Sequence, residues 1–467
     1  MRKLLLAGAA VMGLASAAQA QVGLVTEPKA PGTTGPYAAA QPTPAPGQVA
    51  VRMNGSFNWA YGFSANGDIG HNPHWTFANN TWTAGPGGKI ASSGMMSYIR
   101  LYPGFDGVAA NGLKYGVVAE IRQDNAGTPT GSTSGSTPFG ATTSPTVAAR
   151  YRGLMYWRRA YGYIGGDSWG KIQFGSGDGP VSAMGQIGSY GNIGTGNICG
   201  DAPSFNATGS GPWPFLGCQG SMYTTNKVVY YSPQIAGFDF GFAYEPGTGN
   251  LNATQNCALA GATPGDGTGC DFLSSTTGND YLRRMNLLDM AVRYRGAFGG
   301  VGLAAVGGYL FSGHVTDQLG THAPVDGLSV GYGGVTVDFA GFSVGGALQG
   351  GRQAGIGTLA FTTARDQFAW VVGTTYTTGP VQVGVTYFEN VSQGSWTPSN
   401  AATVDRTRKD RGFETALNYG IAPGLSATLE YIWTDSQQPG ADFVASRFGA
   451  QSTVTNQLLV GALHLKW

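Results

Sequence analysis

Charged side chains are scarce in this chain: only 11% of its 467 residues are Asp, Glu, Lys or Arg. A soluble globular domain averages about 25% charged residues, so a surface fully exposed to water matches this composition poorly. The 26 basic residues and the 25 acidic residues nearly cancel. Because nucleic-acid binding depends on a basic surface, we expect no nucleic-acid partner.

Long apolar runs are missing as well. Beyond the N-terminal segment no run of 18 apolar residues occurs, and a membrane-spanning helix needs about 20. A chain of this kind can cross a membrane only with strands that close into a barrel. Cysteine and histidine are also rare, with four and five copies, and neither a Cys-x-x-Cys pair nor a histidine cluster indicates a metal site. We therefore expect no metal, no cofactor and no catalytic residue.

Glycine and aromatic residues, in contrast, are abundant. The chain has 78 Gly, 22 Tyr, 22 Phe and 10 Trp. The aromatic content excludes a disordered chain, and glycine without a strict three-residue period excludes collagen. A folded protein with many turns, few charges and many amphipathic aromatic side chains is typical of a β-barrel in lipid.

The N-terminus predicts export. Arg2 and Lys3 precede a short apolar stretch, 4–14, and Ala18-Gln19-Ala20 fits a cleavage site, so residues 1–20 form a predicted signal peptide. Cleavage removes two of the 26 basic residues and leaves 24 against 25 acidic ones. Residues 21–47 are rich in Pro and Ala, which indicates a periplasmic linker without regular structure.

Export also decides how the cysteines are interpreted. Disulfides are the default in an oxidising compartment. Four cysteines allow three pairings, and proximity in sequence favours two short loops, each closed by neighbouring cysteines: Cys199 with Cys218, and Cys257 with Cys270.

A period of two dominates the chain from residue 48 onward. In 49–61 the apolar side chains Val51, Met53 and Trp59 alternate with the polar side chains Arg52 and Asn58. About 16 segments show this pattern. They are joined alternately by short turns such as Asn111-Gly112 and by long polar connections such as 124–148, 177–221 and 246–283. This predicts an all-β fold: a transmembrane antiparallel β-barrel over 48–467 with 16 strands, short periplasmic turns and long extracellular loops.

Three stretches carry a specific resemblance. RRAYGYIGGDSWGKIQFGSGDGP (158–180) resembles the strand–turn–strand passage of Gram-negative general porins that leads into their constriction loop. TTNKVVYYSPQIAGFDFGFAYEPG (224–247) and GFETALNYGIAPGLSATLEYIW (412–433) are similar to later hairpins of the same family, and Trp467 resembles its terminal aromatic residue. The resemblance implies a 16-stranded homotrimer in the cell outer membrane, among outer-membrane lipids, with a water-filled channel for passive diffusion of small hydrophilic solutes and ions.

The chain departs from that family in its candidate constriction loop, 177–221, which is long and poor in acids. Asp178 and Asp201 are its only two acidic residues. In addition, Val229 occupies a position where the family often has a basic residue, and Lys227 has the same facing.

Alternation assigns charges to the lumen, since a lipid-facing Arg or Lys costs about 2–4 kcal/mol at the bilayer midplane. Arg159 and Tyr161 fall on the lipid face by this count. The basic residues suggest an unopposed wall and a slight preference for anions. The predicted pore-lining residues are Arg52, Arg100, Lys114, Glu120, Arg122, Arg150, Arg152, Arg158, Lys171 and Lys227.

Two alternatives share this barrel: a substrate-specific outer-membrane channel and a surface adhesin. Specific sugar channels carry aromatic side chains inside the lumen. Here most aromatic residues have lipid parity, with Tyr102 and Tyr156 as exceptions, which favours general diffusion.

Overall fold

The computed structural model describes residues 44–64, 75–78, 81–84, 93–123, 155–185, 193–194, 225–247, 284–314, 325–353, 357, 359–393, 407–439 and 452–467. Sixteen long strands form one closed antiparallel barrel, which confirms the predicted fold class. In chain order the barrel strands are β1 (Gln48–Ser64), β4 (Ser93–Val108), β5 (Lys114–Gln123), β6 (Met155–Gly166), β7 (Gly170–Gly177), β8 (Thr225–Tyr231), β9 (Phe238–Gly247), β10 (Arg284–Phe298), β11 (Val301–His314), β13 (Ser329–Phe339), β14 (Phe342–Arg352), β16 (Gln367–Thr378), β17 (Val381–Ser392), β18 (Arg408–Ala422), β19 (Leu425–Gln437) and β20 (Thr453–Lys466).

Two small hairpins lie outside the barrel ring. One pairs β2 (Trp75–Ala78) with β3 (Thr81–Ala84), and the other pairs β12 (Val325–Asp326) with β15 (Ala360–Phe361). A short helix, α1 (Pro180–Met184), follows β7. No helix in the described part of the chain is both long and apolar enough to cross a membrane.

The barrel closes between its first and last strands. β1 pairs antiparallel with β20, with Phe57 opposite Leu465 and Tyr61 opposite Gly461, and β1 pairs with β4 on its other side. Closure removes the exposed sheet edge, which in lipid would leave backbone N–H and C=O groups without partners.

The two faces of the wall differ as alternation predicts. On β1, Val51 is 83% exposed and Met53 58% exposed, whereas Ser56 and Asn58 are almost completely buried. In a water-soluble protein this arrangement would be inverted. Apolar side chains point away from the barrel and polar ones point into it, which is the arrangement that a lipid solvent stabilises.

Tight turns join the strands at one end of the barrel, which we call the turn end. In the β13–β14 turn, Ala340 and Gly341 have φ of 49° and 86°. Positive φ at both central residues is the two-residue hairpin geometry that matches the twist of the flanking strands.

Aromatic rings cover some strand glycines, as Tyr115 covers Gly107, so part of the glycine content makes room for neighbouring rings.

The largest apolar cluster lies inside the barrel. Val181 and Met184 of α1 pack with Leu287 on β10, Leu310 on β11 and Tyr332 on β13, all of them buried. The inner face of this side of the wall therefore carries an apolar cluster, although buried charges such as Asp289 on β10 also lie there.

Candidate pore lining

Most of the predicted pore-lining residues lie on the buried, polar side of the wall. Arg100, Glu120, Arg122, Arg158, Lys171 and Lys227 are buried, while Arg52 and Lys114 are partly buried. Several predicted residues fall outside the described part of the chain: Arg150, Arg152, Asp201, Cys199, Cys218, Cys257 and Cys270.

One carboxylate gathers three guanidinium groups on β5 and β6. Glu120 accepts from Arg122 Nε at 2.5 Å and from Arg158 Nη1 at 2.8 Å, and it lies 3.1 Å from Arg159 Nη1. Arg159 also forms an ion pair with Asp178, the residue that follows β7. We call Glu120, Arg122, Arg158 and Arg159 the Glu120 cluster. Counting Asp178, it holds three positive charges against two negative ones.

A β-bulge explains how two consecutive arginines enter the same cluster. Glu120 pairs with Arg159 across β5 and β6, but the next residue, Ile121, pairs with Trp157, so Arg158 is an extra residue on β6. A bulge of this kind shifts the alternation of every side chain that follows it. The lipid-side assignment of Arg159 and Tyr161 is therefore wrong: both are buried on the inner side.

The same shift brings Tyr163 into a polar chain near the turn end of the barrel. Arg52 Nε lies 2.9 Å from Asp106 Oδ2, and the Tyr163 hydroxyl donates to the other oxygen of Asp106. Lys171 Nζ lies 5.7 Å from the ring centre of Tyr163 and 5.6 Å from that of Tyr231. Aromatic faces of this kind stabilise a cation when water is excluded.

A third charged group spans β8–β10. Glu245 lies 3.5 Å from Lys227 Nζ and 3.1 Å from Arg284 Nε. Arg284, which is fully buried, also donates from Nη1 to the backbone carbonyl of Gly357 at 2.8 Å. This contact ties the connection between β14 and β16 to the wall at β10.

The expectation of an unopposed basic wall is therefore wrong. Arg52 faces Asp106, Lys114 lies 2.5 Å from Asp167, and Lys227 faces Glu245. Counting along single strands missed these pairs because Asp106 and Glu245 come from neighbouring strands and Asp167 from the turn after β6. The Glu120 cluster keeps more positive than negative charges.

The segment after β7 runs inward along the wall. We call residues 178–185 the inward segment; it contains α1. Pro180 lies against Gly241 on β9, and Val181 lies against Gly308 on β11, where a β-carbon would come within 2.8 and 2.7 Å of these side chains. All five residues of α1 are buried. Glycines on the inner wall thus provide the space in which α1 packs.

Further along the same connection, Ile193 and Gly194 lie at the opposite part of the ring. Ile193 packs over Gly384 on β17, and Gly194 lies beside the carboxyl groups of Glu414 and Glu430 on β18 and β19. Both glutamates are buried. The chain between β7 and β8 therefore touches the inner wall at two separated places. In the part of the chain that the structure describes, no group of three metal-binding side chains occurs.

Aromatic side chains on the inner wall are more numerous than expected. Tyr98, Tyr102, Tyr161, Tyr163 and Tyr231 are all buried, and the Arg100 guanidinium lies 4.3 Å from the ring centre of Tyr98. Tyr102 was expected there; the side chain of Tyr156 lies outside the described residues. Most aromatic residues were expected to face lipid, and Tyr98, Tyr161, Tyr163 and Tyr231 are further exceptions to that expectation. Alternation could have placed two of them inside, because Tyr98 has the same parity as Arg100 on β4 and Tyr231 the same parity as Lys227 on β8. Tyr161 and Tyr163 follow the bulge in β6, which alternation does not reveal.

Comparison with known proteins identifies the family. The model of the Gram-negative porin family matches residues 7–439. No protein of curated function matches the chain. An anion-selective porin from Comamonas acidovorans is 13% identical with a TM-score of 0.49, covering 90% of this chain and 100% of that one. A loop-deletion mutant of OmpT, an outer membrane protein of Vibrio cholerae, is 12% identical with a TM-score of 0.48, covering 90% and 99%.

A mutant of the Rh. blastica porin is 11% identical with a TM-score of 0.46, covering 90% of this chain and 100% of that one. The family match spans most of the chain, and the barrel has the 16 strands of the family's architecture. The chain belongs to the Gram-negative porin family and forms an outer-membrane channel for passive diffusion.

Proposed function

We propose that this porin passes small hydrophilic solutes and ions with a weak preference for anions. The observation that supports the preference is the Glu120 cluster, in which, among the described residues, Arg122, Arg158 and Arg159 face the carboxylates of Glu120 and Asp178. Arg100 adds a further positive charge, since its Cα lies opposite Arg122 in register. Fixed charges on a pore wall act on permeating ions through their local field. The reversal potential across a KCl gradient in a planar bilayer tests this, and clear cation selectivity would refute it.

We also propose that the inward segment narrows the channel as the first part of a constriction loop, 177–221. Its burial along the inner wall and its contact with Arg159 through Asp178 support this role. Six of the ten residues predicted as pore-lining then fall into two groups. Those of the Glu120 cluster face the constriction, whereas Arg52, Lys114 and Lys171 belong to the periplasmic mouth.

A substrate-specific channel is the second candidate, and the buried tyrosines beside Arg100 favour it. An aromatic ring next to a guanidinium group, as Tyr98 lies next to Arg100, suits an organic anion that carries a ring. Swelling of liposomes in solutes of graded size separates the two candidates. A smooth size cutoff supports general diffusion, and a strong preference for one aromatic anion over a size-matched aliphatic anion supports the specific channel.

Several finer assignments complete the proposal. We infer cleavage of the signal peptide after Ala20, assembly as a homotrimer, and disulfides between Cys199 and Cys218 and between Cys257 and Cys270.

Catalysis has little support. The Gly-x-Ser-x-Gly pattern occurs around Ser168, Ser329 and Ser343, but each lies in a turn or a strand of the barrel. A nucleophile of that type requires a sharp strand-to-helix turn.

A further inference from the structure

The inward segment begins against a buried carboxylate. Asp289 lies on the inner face of β10 and is only 2% exposed. Its Oδ1 accepts a hydrogen bond from the backbone N–H of Val181 at 2.8 Å. Its Oδ2 lies where a β-carbon on Gly179 would be, so no side chain fits at position 179 while the carboxylate is in place.

The local sequence matches this contact. Pro180 is the first residue of α1 and has no N–H, so the N–H of Val181 is the first donor that the helix presents. A helix of five residues does not form by itself, because nucleation costs more than a single turn returns. The position of α1 therefore depends on groups outside the helix.

Other side chains from the wall hold the flanking backbone. Lys227 Nζ on β8 donates to the carbonyl of Gly177 at 3.1 Å, and the Tyr332 hydroxyl on β13 donates to that of Gly185 at 2.5 Å. These contacts hold Gly177, just before the inward segment, and Gly185, its last residue. Asp289 contacts the chain between them at the start of α1, where the backbone turns from extended to helical.

We propose that Asp289 is a positioning residue of the channel: its carboxylate fixes the start of α1 and thereby sets the width and the steadiness of the pore. This inference rests on the proposed role of the inward segment as a constriction. Asp289 acts through its hydrogen bond to the backbone of Val181 and through its close contact with Gly179, which has no side chain. The position of the carboxylate is therefore required as well as its charge.

Three variants separate geometry from charge. Asp289→Ala removes the acceptor and the charge, Asp289→Asn keeps an acceptor oxygen and removes the charge, and Gly179→Ala keeps the carboxylate but adds a β-carbon where its oxygen lies. The matched control is Asp239→Asn, which removes a buried carboxylate paired with Arg293 on β9 and β10. Folding of each is checked by heat-modifiable migration on gels.

Single-channel recordings measure conductance and open-channel noise. Liposome swelling with neutral sugars measures the size cutoff, and uptake of a neutral solute does not respond to the lost charge. We expect Asp289→Ala and Gly179→Ala to change conductance by about 1.5-fold or more, to raise open-channel noise and to shift the size cutoff. Asp289→Asn and the Asp239→Asn control should stay close to the parent in all three. Should Asp289→Ala fail to fold, Gly179→Ala decides alone.

Two results would overturn the proposal. One is parental conductance, noise and size cutoff in both Asp289→Ala and Gly179→Ala, or in Gly179→Ala when it alone folds. The other is equal effects of Asp289→Asn and Asp289→Ala with a silent Gly179→Ala, which would assign the effect to charge alone. A parent protein that folds but forms no channel would instead refute the proposed function, so the two failures are distinguishable.

Discussion

The indole ring of Trp467 lies directly over the backbone of Gly55 where the last strand meets the first. The two residues also exchange backbone hydrogen bonds, each with its N–H 3.1 Å from the other's carbonyl oxygen. The C-terminal residue thus completes the pairing that closes the barrel. Its ring needs a neighbour without a side chain.

Gly55→Val tests this seam. The added side chain would occupy the position of the indole, and overpacking of this kind costs about 1–3 kcal/mol. We expect the temperature at which the folded barrel converts to the unfolded gel band to fall. The control is Gly461→Val on β20, where a β-carbon meets no atom within 4 Å. Equal stability of both variants would contradict the seam contact.

Glu120→Gln should increase anion selectivity. It removes one of the two negative charges that face Arg122, Arg158 and Arg159, so the local charge becomes more positive. The measurement is the reversal potential in a KCl gradient. The control is Lys409→Gln. Lys409 is exposed on β18 and lies on the same face of the strand as Phe413, so this variant should leave the reversal potential unchanged. A shift toward cations in Glu120→Gln would contradict the account.

The Glu120 cluster also shows how far the sequence allowed prediction. Alternation placed Glu120, Arg122 and Arg158 inside because a period of two is readable in any half-polar strand. It failed at Arg159 because a β-bulge inserts one residue without a sequence signal, and Tyr161 and Tyr163 then follow the shifted phase. Contacts between the wall and the chain inside the barrel, such as that of Asp289 on β10 with Val181 in α1, depend on how the connection after β7 folds and were not readable from the sequence.

Arg284→Leu should destabilise the barrel far more than Arg411→Leu. Arg284 is fully buried between Glu245 and the carbonyl of Gly357, so its loss leaves a buried carboxylate with fewer partners and costs about 3–5 kcal/mol. Arg411 pairs with Asp435 with half of its side chain exposed, and such pairs contribute about 0–1 kcal/mol. Thermal unfolding in detergent measures both; similar losses would contradict this difference.

Reduction of the protein tests the proposed disulfide between Cys199 and Cys218. Cys199 follows Gly194, which lies beside Glu414 and Glu430 on the inner wall, by five residues. A bridge there would restrain the constriction loop, so we expect higher open-channel noise after reduction and the same change in Cys199→Ser. Unchanged traces after verified reduction would exclude that restraint.

The surplus of guanidinium groups in the Glu120 cluster should act directly on ions that pass through the channel. The most direct measurement is the zero-current potential across a KCl gradient for the parent and for the double variant Arg158→Gln/Arg159→Gln. We expect a weakly anion-selective parent and a clear shift toward cations in the double variant. A parent that prefers cations, or a folded double variant with the parental potential, would contradict this expectation.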